Sequence, residues 1–374
     1  MKKGWTYKSL GDITTSMADG PFGSNLKKEH YTDKPEVRII QLSNIGEDGW
    51  REENTKYTTF EHLKSIQRSE VQPGDIVIAK MMPAGRAILC PSHEAKFVLS
   101  SDAVRATLIE GVNRRFVLYS INSPYFRKQV YENVSGSGRV RTSLTKLKAC
   151  KLLIPGIDEQ ERIVERLDAT FAQIDELKSN AERQLAEARA LFQSALTQAM
   201  QPKPGWQEKT LGEIANIIHG KNQKEVVSET GKYPIYGSGG NIMGYATDYL
   251  CEAGTTILGR KGSINNPQFI NERFWNVDTA FGISAKEDND NKFIYYFIKS
   301  VDWSKKNTGT TLPSLTQSVV KSVNLFVPNL TDQQTISSYL DSLHAQILEI
   351  DRVNKRTTAE CDAMKQALLR QIFE

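Results

Sequence analysis

The hydrophobic residues of two long segments recur at alternating spacings of three and four. Between residues 336 and 372 this stripe contains Ile336, Leu340, Leu343, Ile347, Ile350, Asn354, Thr357, Cys361, Met364, Leu368 and Ile372. Between residues 163 and 199 a less regular stripe contains Ile163, Leu167, Phe171, Ile174, Leu177, Ala181, Leu185, Ala188, Phe192, Ala195 and Ala199. Such spacing is typical of helices that pack along a heptad seam. We therefore predict two helices of about 40 residues, each about 60 Å long.

A single helix cannot bury such a seam, so the two predicted helices most simply pack on each other. They are joined through a whole globular segment instead of a short turn, which leaves both parallel and antiparallel pairing open. We favour antiparallel pairing because it relates the two halves of the chain by an approximate twofold axis. Asn354, a polar residue on the seam, is expected to help fix the register of the pair.

Capping and breaker residues predict where these helices begin and end. Asp158 and Thr331 are the predicted N-cap residues, because each stands just before an apolar stripe. The sequence Pro202-Lys203-Pro204-Gly205 should end the first helix. We therefore divide the chain into a globular segment over 1–155, a helix over 156–201, a second globular segment over 202–328 and a helix over 329–374.

The two halves of the sequence repeat each other. Residues 154–174 (IPGIDEQERIVERLDATFAQI) align without a gap with residues 327–347 (VPNLTDQQTISSYLDSLHAQI), at an offset of 173. At the front of each half, Gly4-Trp5 and Leu10-Gly11 recur as Gly205-Trp206 and Leu211-Gly212. This period is too long for a solenoid repeat and indicates duplication of a domain.

Each globular segment has the pattern of short strands. Apolar, β-branched runs between glycine, proline or aspartate predict strands at 37–45, 75–80, 86–90, 96–101 and 103–109, and at 255–260, 266–270, 273–277 and 279–285. A short helix follows in each half, at 114–123 and 292–300. The predicted fold class is therefore α+β, with a twisted and partly antiparallel sheet in each globular segment.

Charge is distributed unevenly among the four segments. Their net charges are +8, −4, +2 and −2 in chain order, within a formal total of +4. Basic globular segments favour an anionic ligand, and acidic helices favour a protein contact. Cys90, Cys150, Cys251 and Cys361 form no C-x-x-C pair, which argues against a zinc site and a disulfide scaffold. With no long apolar run in the sequence, we expect a cytoplasmic protein.

Glycine-rich polar loops recur at corresponding places in the two halves. They lie at 18–28 and 135–145 in the first half, and at 236–246, 259–266 and 307–316 in the second. Small residues let the backbone approach a phosphate or a base edge, and Lys, Arg, Ser and Asn supply hydrogen-bond donors. Ser143-Leu144-Thr145 aligns with Ser314-Leu315-Thr316. The candidate DNA-contacting residues are Ser24, Asn25, Lys27, Lys80, Arg86, Arg139, Arg141, Lys221, Ser238, Asn241, Arg260, Lys261, Ser263 and Thr310.

The sequence lacks the motifs of an enzyme that acts alone. Asn266-Pro267-Gln268-Phe269 is similar to a motif that holds a flipped base in methyltransferases, but it lacks the second proline. Gly237-Ser238-Gly239 does not continue into a dinucleotide-binding fingerprint, and no phosphate-binding P-loop sequence occurs. The histidines have no evident nucleophile partner, and no catalytic or metal-binding residue is predicted.

Taken together, these motifs resemble the specificity subunit of type I restriction-modification systems. The resemblance rests on the Gly-Trp and Leu-Gly-Asp/Glu-Ile starts, on YPIYGSGGNIMGYA and ILGRKGS, and on the Ile/Val-Pro exit into an E/D-Q-x-x-I helix. It covers essentially the whole chain, and the order and duplication of the motifs are more specific than any single one. It implies two target recognition domains, separated by two long antiparallel helices that form a coiled coil.

The resemblance also implies a function and partners. Each recognition domain would read one half of a split, asymmetric sequence in double-stranded DNA, and the helices would dock two modification (methyltransferase) subunits. The subunit itself would be non-catalytic and without cofactor, whereas S-adenosylmethionine, ATP and Mg would act on the modification and restriction subunits. The residues expected in the coiled coil and in subunit docking are Ile163, Leu167, Phe171, Ile174, Leu185, Ile336, Leu340, Leu343, Ile347 and Ile350. The alternative is a stand-alone coiled-coil DNA-binding regulator, which would need no partner.

Overall fold

A computed structural model of the protein describes residues 4–81, 83–132 and 141–374. The chain divides into two compact units. Unit 1 contains Met1–Ser179 together with Arg356–Glu374, and unit 2 contains Asn180–Lys355. Unit 2 is therefore one continuous segment, whereas unit 1 combines two separate segments.

The strands of unit 1 are short, as their apolar runs predict. They are β1 (Thr6–Ser9), β2 (Thr14–Asp19), β3 (Tyr31–Thr32), β4 (Val37–Ile40), β5 (Tyr57–Thr58), β6 (Glu70–Val71), β7 (Ile76–Ala79), β8 (Ala87–Leu89), β9 (Phe97–Leu99), β10 (Ala103–Leu108) and β11 (Lys151–Ile154). The strands of unit 2 are β12 (Gln207–Thr210), β13 (Ala215–His219), β14 (Tyr233–Tyr236), β15 (Ile242–Ala246), β16 (Thr255–Gly259), β17 (Gln268–Ile270), β18 (Trp275–Asn276), β19 (Ala280–Ala285) and β20 (Asn324–Val327).

Seven short helices accompany the strands in the described residues, and two helices are long. The short helices are α1 (Phe60–Ser65), α2 (Arg114–Ile121), α3 (Pro124–Glu132), α4 (Leu144–Ala149), α6 (Leu211–Ile214), α7 (Asn291–Ser300) and α8 (Gln317–Lys321). The long helices are α5 (Ile157–Ala199) and α9 (Leu330–Phe373), of 43 and 44 residues. The predicted pair of long helices is therefore present.

Each unit contains an antiparallel four-stranded sheet of the same design. In unit 1 the strand order is β2-β10-β7-β8, and in unit 2 it is β13-β19-β16-β17. A second sheet, with five strands in unit 1 and three in unit 2, contains one parallel pair among the described residues of each unit, β4 with β9 and β14 with β18. A two-stranded ribbon, β1 with β11 or β12 with β20, brings the front of each half to its exit proline. The predicted partly antiparallel α+β architecture is confirmed in both units.

The N-cap residue of each long helix lies two residues before the N-cap residue that the sequence predicted. The Gly156 carbonyl accepts from Gln160 N–H at 3.1 Å, so Gly156 caps α5. Asn329 caps α9, because its side-chain oxygen accepts from Asp332 N–H at 2.9 Å. The predicted N-cap residues Asp158 and Thr331 were wrong, since both already lie within the first helical turn.

A buried glutamine joins the start of each long helix to its unit in the same way. In unit 1, Gln160 Nε2 donates to the Pro155 carbonyl at 2.9 Å, and its Oε1 accepts from Asn113 N–H at 2.9 Å. In unit 2, Gln333 donates to the Pro328 carbonyl at 2.9 Å and accepts from Asp290 N–H at 2.8 Å. Asn113 and Asp290 cap α2 and α7, so each glutamine ties a short helix to a long one.

An aspartate eight residues after each glutamine makes a second connection between the same long and short helices. Asp168 accepts from the Tyr119 hydroxyl and from Arg115 Nη2, and Asp341 accepts from the Tyr296 hydroxyl at 2.5 Å and from Lys292 Nζ at 3.0 Å. Burial raises the pKa of Tyr119 to about 12, with the Asp168 hydrogen bond acting in the same direction. Burial likewise raises the pKa of Tyr296. Both hydroxyls therefore stay protonated and can donate at neutral pH.

Within unit 1, the two long helices run antiparallel. Asp175 contacts Lys365 at 2.6 Å and Lys178 contacts Asp362 at 2.8 Å, so higher numbers on α5 meet lower numbers on α9. Leu167 of α5 and Phe373 of α9 belong to the same buried core. This pairing agrees with the orientation favoured from the sequence.

The pairing has the same direction within unit 2. Asn354 Nδ2 donates to the Ala181 carbonyl at 2.5 Å, and Arg189 contacts Asp351 at 3.3 Å. Phe192 and Leu196 pack with Leu340 in one apolar cluster. Asn354, which was predicted to fix the register, thus makes a specific polar contact across the helix pair.

The predicted seam is only partly correct. The side chains that are buried or half-buried, as expected, are those of Ile163, Leu167, Phe171, Ile174, Leu185, Ile336, Leu340, Leu343, Ile347 and Ile350. Leu177 and Met364 are exposed, however, although the heptad count placed both on the seam. Lys365 is buried instead, because its ammonium is paired with Asp175 and lies 5.3 Å from the Phe171 ring.

We expect Gln333→Ala to lower the free energy of unfolding by about 2 kcal/mol, because it leaves a buried N–H group and a buried carbonyl unpaired. Urea denaturation followed by circular dichroism measures the change. The neighbouring exposed residue supplies the control, since Gln334→Ala should leave the curve unchanged. Equal effects of the two substitutions would show that the buried glutamine does not anchor the helix.

Candidate nucleic-acid interface

The glycines that follow β2 and β13, Gly20 and Gly220, lie very close to the backbone of a neighbouring segment in each unit's candidate interface. Gly20 N–H donates to the Ala103 carbonyl at 3.0 Å, and a Cβ atom on Gly20 would lie 1.7 Å from the Ser100 carbonyl oxygen. Gly220 N–H donates to the Ala280 carbonyl at 3.0 Å, and its Cβ would lie 1.8 Å from the Val277 oxygen. No side chain fits at either position. The two glycines are structurally equivalent, which the sequence comparison missed.

A basic residue follows a central strand of each four-stranded sheet. Lys80 N–H donates to the Asp102 carbonyl at 2.8 Å, and Arg260 N–H donates to the Thr279 carbonyl at 2.8 Å. These two predicted candidates therefore occupy the same place in the two units. Asp102 lies directly before β10 and Thr279 directly before β19, and these strands are neighbours of β7 and β16 in their sheets.

The segments before α4 and α8 complete a set of main-chain hydrogen bonds that the two units share, the shared frame. Thr142 N–H donates to the Lys80 carbonyl at 2.9 Å, and Leu315 N–H donates to the Arg260 carbonyl at 2.8 Å. The next residue caps a helix in each unit, through Ser143 or Thr316. The sequence alignment of Ser143 with Ser314 is therefore displaced by two residues, and Arg141 corresponds to Ser314.

The three glycine-rich loops of unit 2 converge, which their composition alone did not predict. Gly259 lies where Ser238 and Ser263 meet, since a Cβ atom there would be 3.0 Å and 2.2 Å from their carbonyl oxygens. Gly262 N–H donates to the Pro313 carbonyl at 2.9 Å. Gly237 N–H donates to the Asn241 carbonyl at 3.0 Å. The predicted residues Ser238, Asn241, Arg260, Lys261 and Ser263 are thus brought together.

The two other candidates of unit 2 are exposed. Lys221 N–H donates to the Asn276 carbonyl at 3.0 Å, so this lysine lies next to the parallel strand pair. Thr310 lies in a loop that Asn307 closes, because the Asn307 Oδ1 atom accepts from Gly309 and Ser314 N–H groups at 2.8 Å each. A cavity of about 420 Å³ lies between this loop and Ser263.

The candidates of unit 1 differ in how available their charges are. Lys80 is buried and its ammonium contacts Asp19 at 2.8 Å. Arg141 contacts Asp102 at 2.9 Å but remains half exposed. Arg86 is half-buried, and burial is the main cause that lowers its pKa. Lys80 is therefore placed to hold the loop that begins at Asp19, rather than to meet a ligand directly.

The remaining candidates of unit 1 lie on the loop after Gly20. Ser24 and Asn25 are exposed at a turn in which Asn25 N–H donates to the Phe22 carbonyl at 2.7 Å. Lys27 is exposed and lies 3.7 Å from Glu29. Arg139 lies outside the described residues.

Sequence reasoning missed a groove of about 450 Å³ in unit 1. Its lining includes Gln41, Ser43, Ser101 and Asp102, which directly follow the parallel strands β4 and β9. Both strands were predicted from their apolar runs, but sequence spacing could not show that they are neighbours. The usable signal is the polar residue that follows each buried strand, because ligands commonly bind at the carboxyl ends of parallel strands.

Two further properties concern the described residues alone. They contain no group of three or more His, Cys, Asp and Glu side chains placed to hold a metal ion. None of their helices combines the length and the apolar character needed to cross a bilayer.

A family model described as the type I restriction modification DNA specificity domain matches residues 2–187 and 203–359. The chain belongs to this specificity family. The two matches fall on the two halves of the sequence, which agrees with the duplicated frame described above. The predicted resemblance is confirmed.

Curated relatives of this specificity protein match over part of their length. One is a putative type I restriction enzyme specificity subunit of Haemophilus influenzae, 27% identical over 143 residues that make up 37% of each chain. Another is the StySPI specificity subunit of Salmonella potsdam, 24% identical over 63% of this chain and 51% of the relative. The chain thus spans about a third to a half of the length of these relatives.

Solved structures share the fold over nearly the full chain. A chain from a study of complex assembly and conformational transition of the type I R-M system has a TM-score of 0.78 at 17% identity, covering 99% of this chain and 97% of that one. The HsdS subunit of Thermoanaerobacter tengcongensis has a TM-score of 0.55 at 18% identity, covering 99% and 96%. The predicted two-domain specificity fold with paired long helices is therefore confirmed.

We expect Gly20→Ala to destabilise this specificity protein by about 1–3 kcal/mol, as overpacking against rigid backbone does. Differential scanning calorimetry should show a lower melting temperature for this variant. Gly23→Ala is the matched control, because a Cβ atom there meets nothing within 4 Å. An unchanged melting temperature for Gly20→Ala would mean that the loop is not held against Ser100.

Proposed function

We propose that this chain is the DNA-recognition subunit of a type I restriction-modification complex, and that each unit reads one half of a bipartite, asymmetric target. The observation that carries the proposal is a shared main-chain frame with different side chains. Lys80 corresponds to Arg260 and Arg141 corresponds to Ser314 in that frame. Base edges are distinguished by side-chain donors and acceptors, so a constant frame with a changing lining suits two readers of different sequences.

Phosphate contacts would come from the cations that the frame leaves accessible. Lys261 and Lys221 are exposed beside the converging loops of unit 2, and Lys27 is exposed on the loop after Gly20. Arg141 keeps half of its side chain accessible despite its contact with Asp102. Such cations fix the protein on the duplex but read no sequence. The candidate residues therefore divide into phosphate-binding cations and polar groups that face base edges.

The long helices would dock two methyltransferase subunits. Support comes from apolar residues that both helices expose at equivalent positions of the repeat, Ile157 with Leu330 and Leu191 with Met364. The buried seam residues hold the helix pair together and are not accessible to another chain. A surface that occurs twice suits two copies of one partner, and the family match favours this role over that of a stand-alone regulator.

The chemistry would then belong to the partners. Modification subunits would transfer a methyl group from S-adenosylmethionine to adenine, and restriction subunits would use ATP and Mg to translocate and cleave DNA. This chain would be non-catalytic and would determine where the partners act.

Reconstitution with purified subunits tests the function. We expect the chain alone to methylate no DNA, and the chain with modification subunits and S-adenosylmethionine to methylate adenine at one sequence motif. Long-read sequencing that detects methyladenine gives the motif. Methyl transfer by the chain alone, or methylation without a motif, would contradict the assignment.

The same readout tests whether each unit reads its own half. Residues 205–328 are replaced by the corresponding segment of another family member, and only one half of the methylated motif should change. A change in both halves would defeat the model of two separate readers.

Docking is tested with the exposed apolar pair. We expect Leu191→Asp combined with Met364→Asp to abolish binding of modification subunits while the melting temperature stays unchanged, because both side chains are more than half exposed, at 65% and 53%. Light scattering during size-exclusion chromatography measures the assembly. The matched control is Gln193→Asp with Gln366→Asp, another exposed pair at equivalent positions. Normal assembly of the Leu191 and Met364 variant would place the docking surface elsewhere.

A further inference from the structure

The groove in unit 1 lies at the carboxyl ends of its parallel strands. Gln41 follows β4, and Ser100 follows β9. Ser100 N–H donates to the Ile40 carbonyl at 2.9 Å, so the strands stay paired up to the edge of the groove. After β4 the chain bends at Gln41 into a single 3-10 turn over Leu42–Asn44, and the residues that follow both strands line the groove, where a ligand can meet polar groups.

The lining of the groove is polar and carries a cation. Its polar lining includes Tyr31, Gln41, Ser43, Asn54, Lys56, Ser101 and the carboxylate of Asp102, which is paired with Arg141. Among these, Lys56 and Asn54 are exposed at the rim, and Arg141 lies nearby through its contact with Asp102. Hydroxyl, amide and ammonium groups in this combination match a base edge with an adjacent phosphate.

The backbone of Gln41 is held firmly. Gln41 N–H donates to Asn44 Oδ1 at 2.9 Å, and the Gln41 carbonyl accepts from Asn44 N–H at 3.0 Å. Asn44 is fully buried, and its Nδ2 atom donates to the carbonyls of Arg51 and Glu53. Asn44 therefore fixes the point from which the Gln41 side chain enters the groove.

The Gln41 side chain has unused hydrogen-bonding capacity. Its Oε1 atom is shielded from solvent and accepts no hydrogen bond from any residue that the structure describes. An amide presents one acceptor and two donors, and because Gln41 as a whole is only half-buried, a turn of its side chain toward the groove would bring both ends of the amide within reach of a ligand. A ligand that offers a donor beside an acceptor would satisfy this amide, which no neighbouring side chain does.

Unit 2 has no counterpart of this side chain. Val277 N–H donates to the Tyr236 carbonyl at 3.2 Å, as Ser100 donates to Ile40 in unit 1. The residue after Tyr236 is Gly237, which therefore occupies the place of Gln41. The frame is the same in both units, but only unit 1 has an amide at this point.

We propose that Gln41 reads an adenine in the half-site of unit 1, through paired hydrogen bonds to the N6 and N7 atoms in the major groove. Glutamine and asparagine make this bidentate contact with adenine, since its edge offers a donor beside an acceptor. The inference rests on the proposed function and adds a specificity-determining residue to it. Ser43, Tyr31 and Lys56 would orient the base and its phosphate.

The experiment uses cells that express the full chain with its modification subunits, and it compares methylated motifs by long-read sequencing. The chimera that exchanges residues 205–328 identifies which half-site unit 1 reads. In that half-site, Gln41→Ala should make one A·T pair other than the methylated one degenerate, with a preference about tenfold lower or more. The exposed Gln67 supplies the control, and Gln67→Ala should keep the wild-type motif.

An unchanged motif for Gln41→Ala, or a change in the half-site of unit 2, would overturn the inference. If the wild-type complex gives no motif, the proposed function itself fails. A wild-type motif that Gln41 variants leave intact would contradict only the adenine contact.

A second variant covers the case in which Gln41→Ala methylates nothing. Gln41→Glu keeps the size of the side chain but only accepts hydrogen bonds, which favours cytosine over adenine. Fluorescence anisotropy with the purified complex of the full chain and its modification subunits would compare duplexes in which each A·T pair of the half-site is replaced in turn. We expect Gln41→Glu to bind a cytosine-substituted duplex better than the wild-type protein does. The same order of duplexes for both proteins would rule out a base contact by Gln41.

Discussion

A buried glutamine at the start of each long helix holds together the exit strand, a short helix and the long helix in both units. It satisfies the exit carbonyl of Pro155 or Pro328 and the N–H group of the residue that caps a short helix. An unpaired polar group in such a place is costly, so the three segments can pack only with this side chain between them. The Asp–Tyr contact about two turns further along the helix then fixes the direction in which the helix leaves. This explains why the sequence repeats most clearly around Gln160 and Gln333.

Main-chain hydrogen bonds build the candidate interface, and this leaves side chains free to vary. The contacts of Lys80 and Arg260 with neighbouring segments use backbone N–H and carbonyl groups. Such contacts do not depend on residue type, with the exception of Gly20 and Gly220, where a side chain has no room. One frame can therefore hold Gln41 in unit 1 and Gly237 in unit 2 without a change of fold. Stability and the proposed recognition would then rest on different atoms of the same residues.

The sequence predicted the strands and helices whose buried residues give a regular spacing of apolar positions. Strands such as Ile76–Ala79 and both long helices follow directly from apolar periodicity. The start of α5 was misplaced because Gly156 is a weaker N-cap signal than Asp158, whereas Asn329, a better N-cap residue than Thr331, was overlooked. Lys365 was missed because a charged residue on a seam is recognisable only once Asp175 is seen beside it. The groove at Gln41 depends on β4 and β9 being neighbours, and that pairing joins residues far apart in sequence.

The division of the chain also has a consequence for the order of folding during synthesis. The core of unit 1 includes Leu369 and Phe373, and the Phe373 ring lies 5.3 Å from that of Phe116. Residues emerge from the ribosome in order. The core of unit 1 therefore cannot close until the end of α9 has been translated, which happens after all of unit 2 has been made. Unit 2, a continuous segment, can complete its own core first. The half of the protein that is made first is therefore the half that finishes folding last.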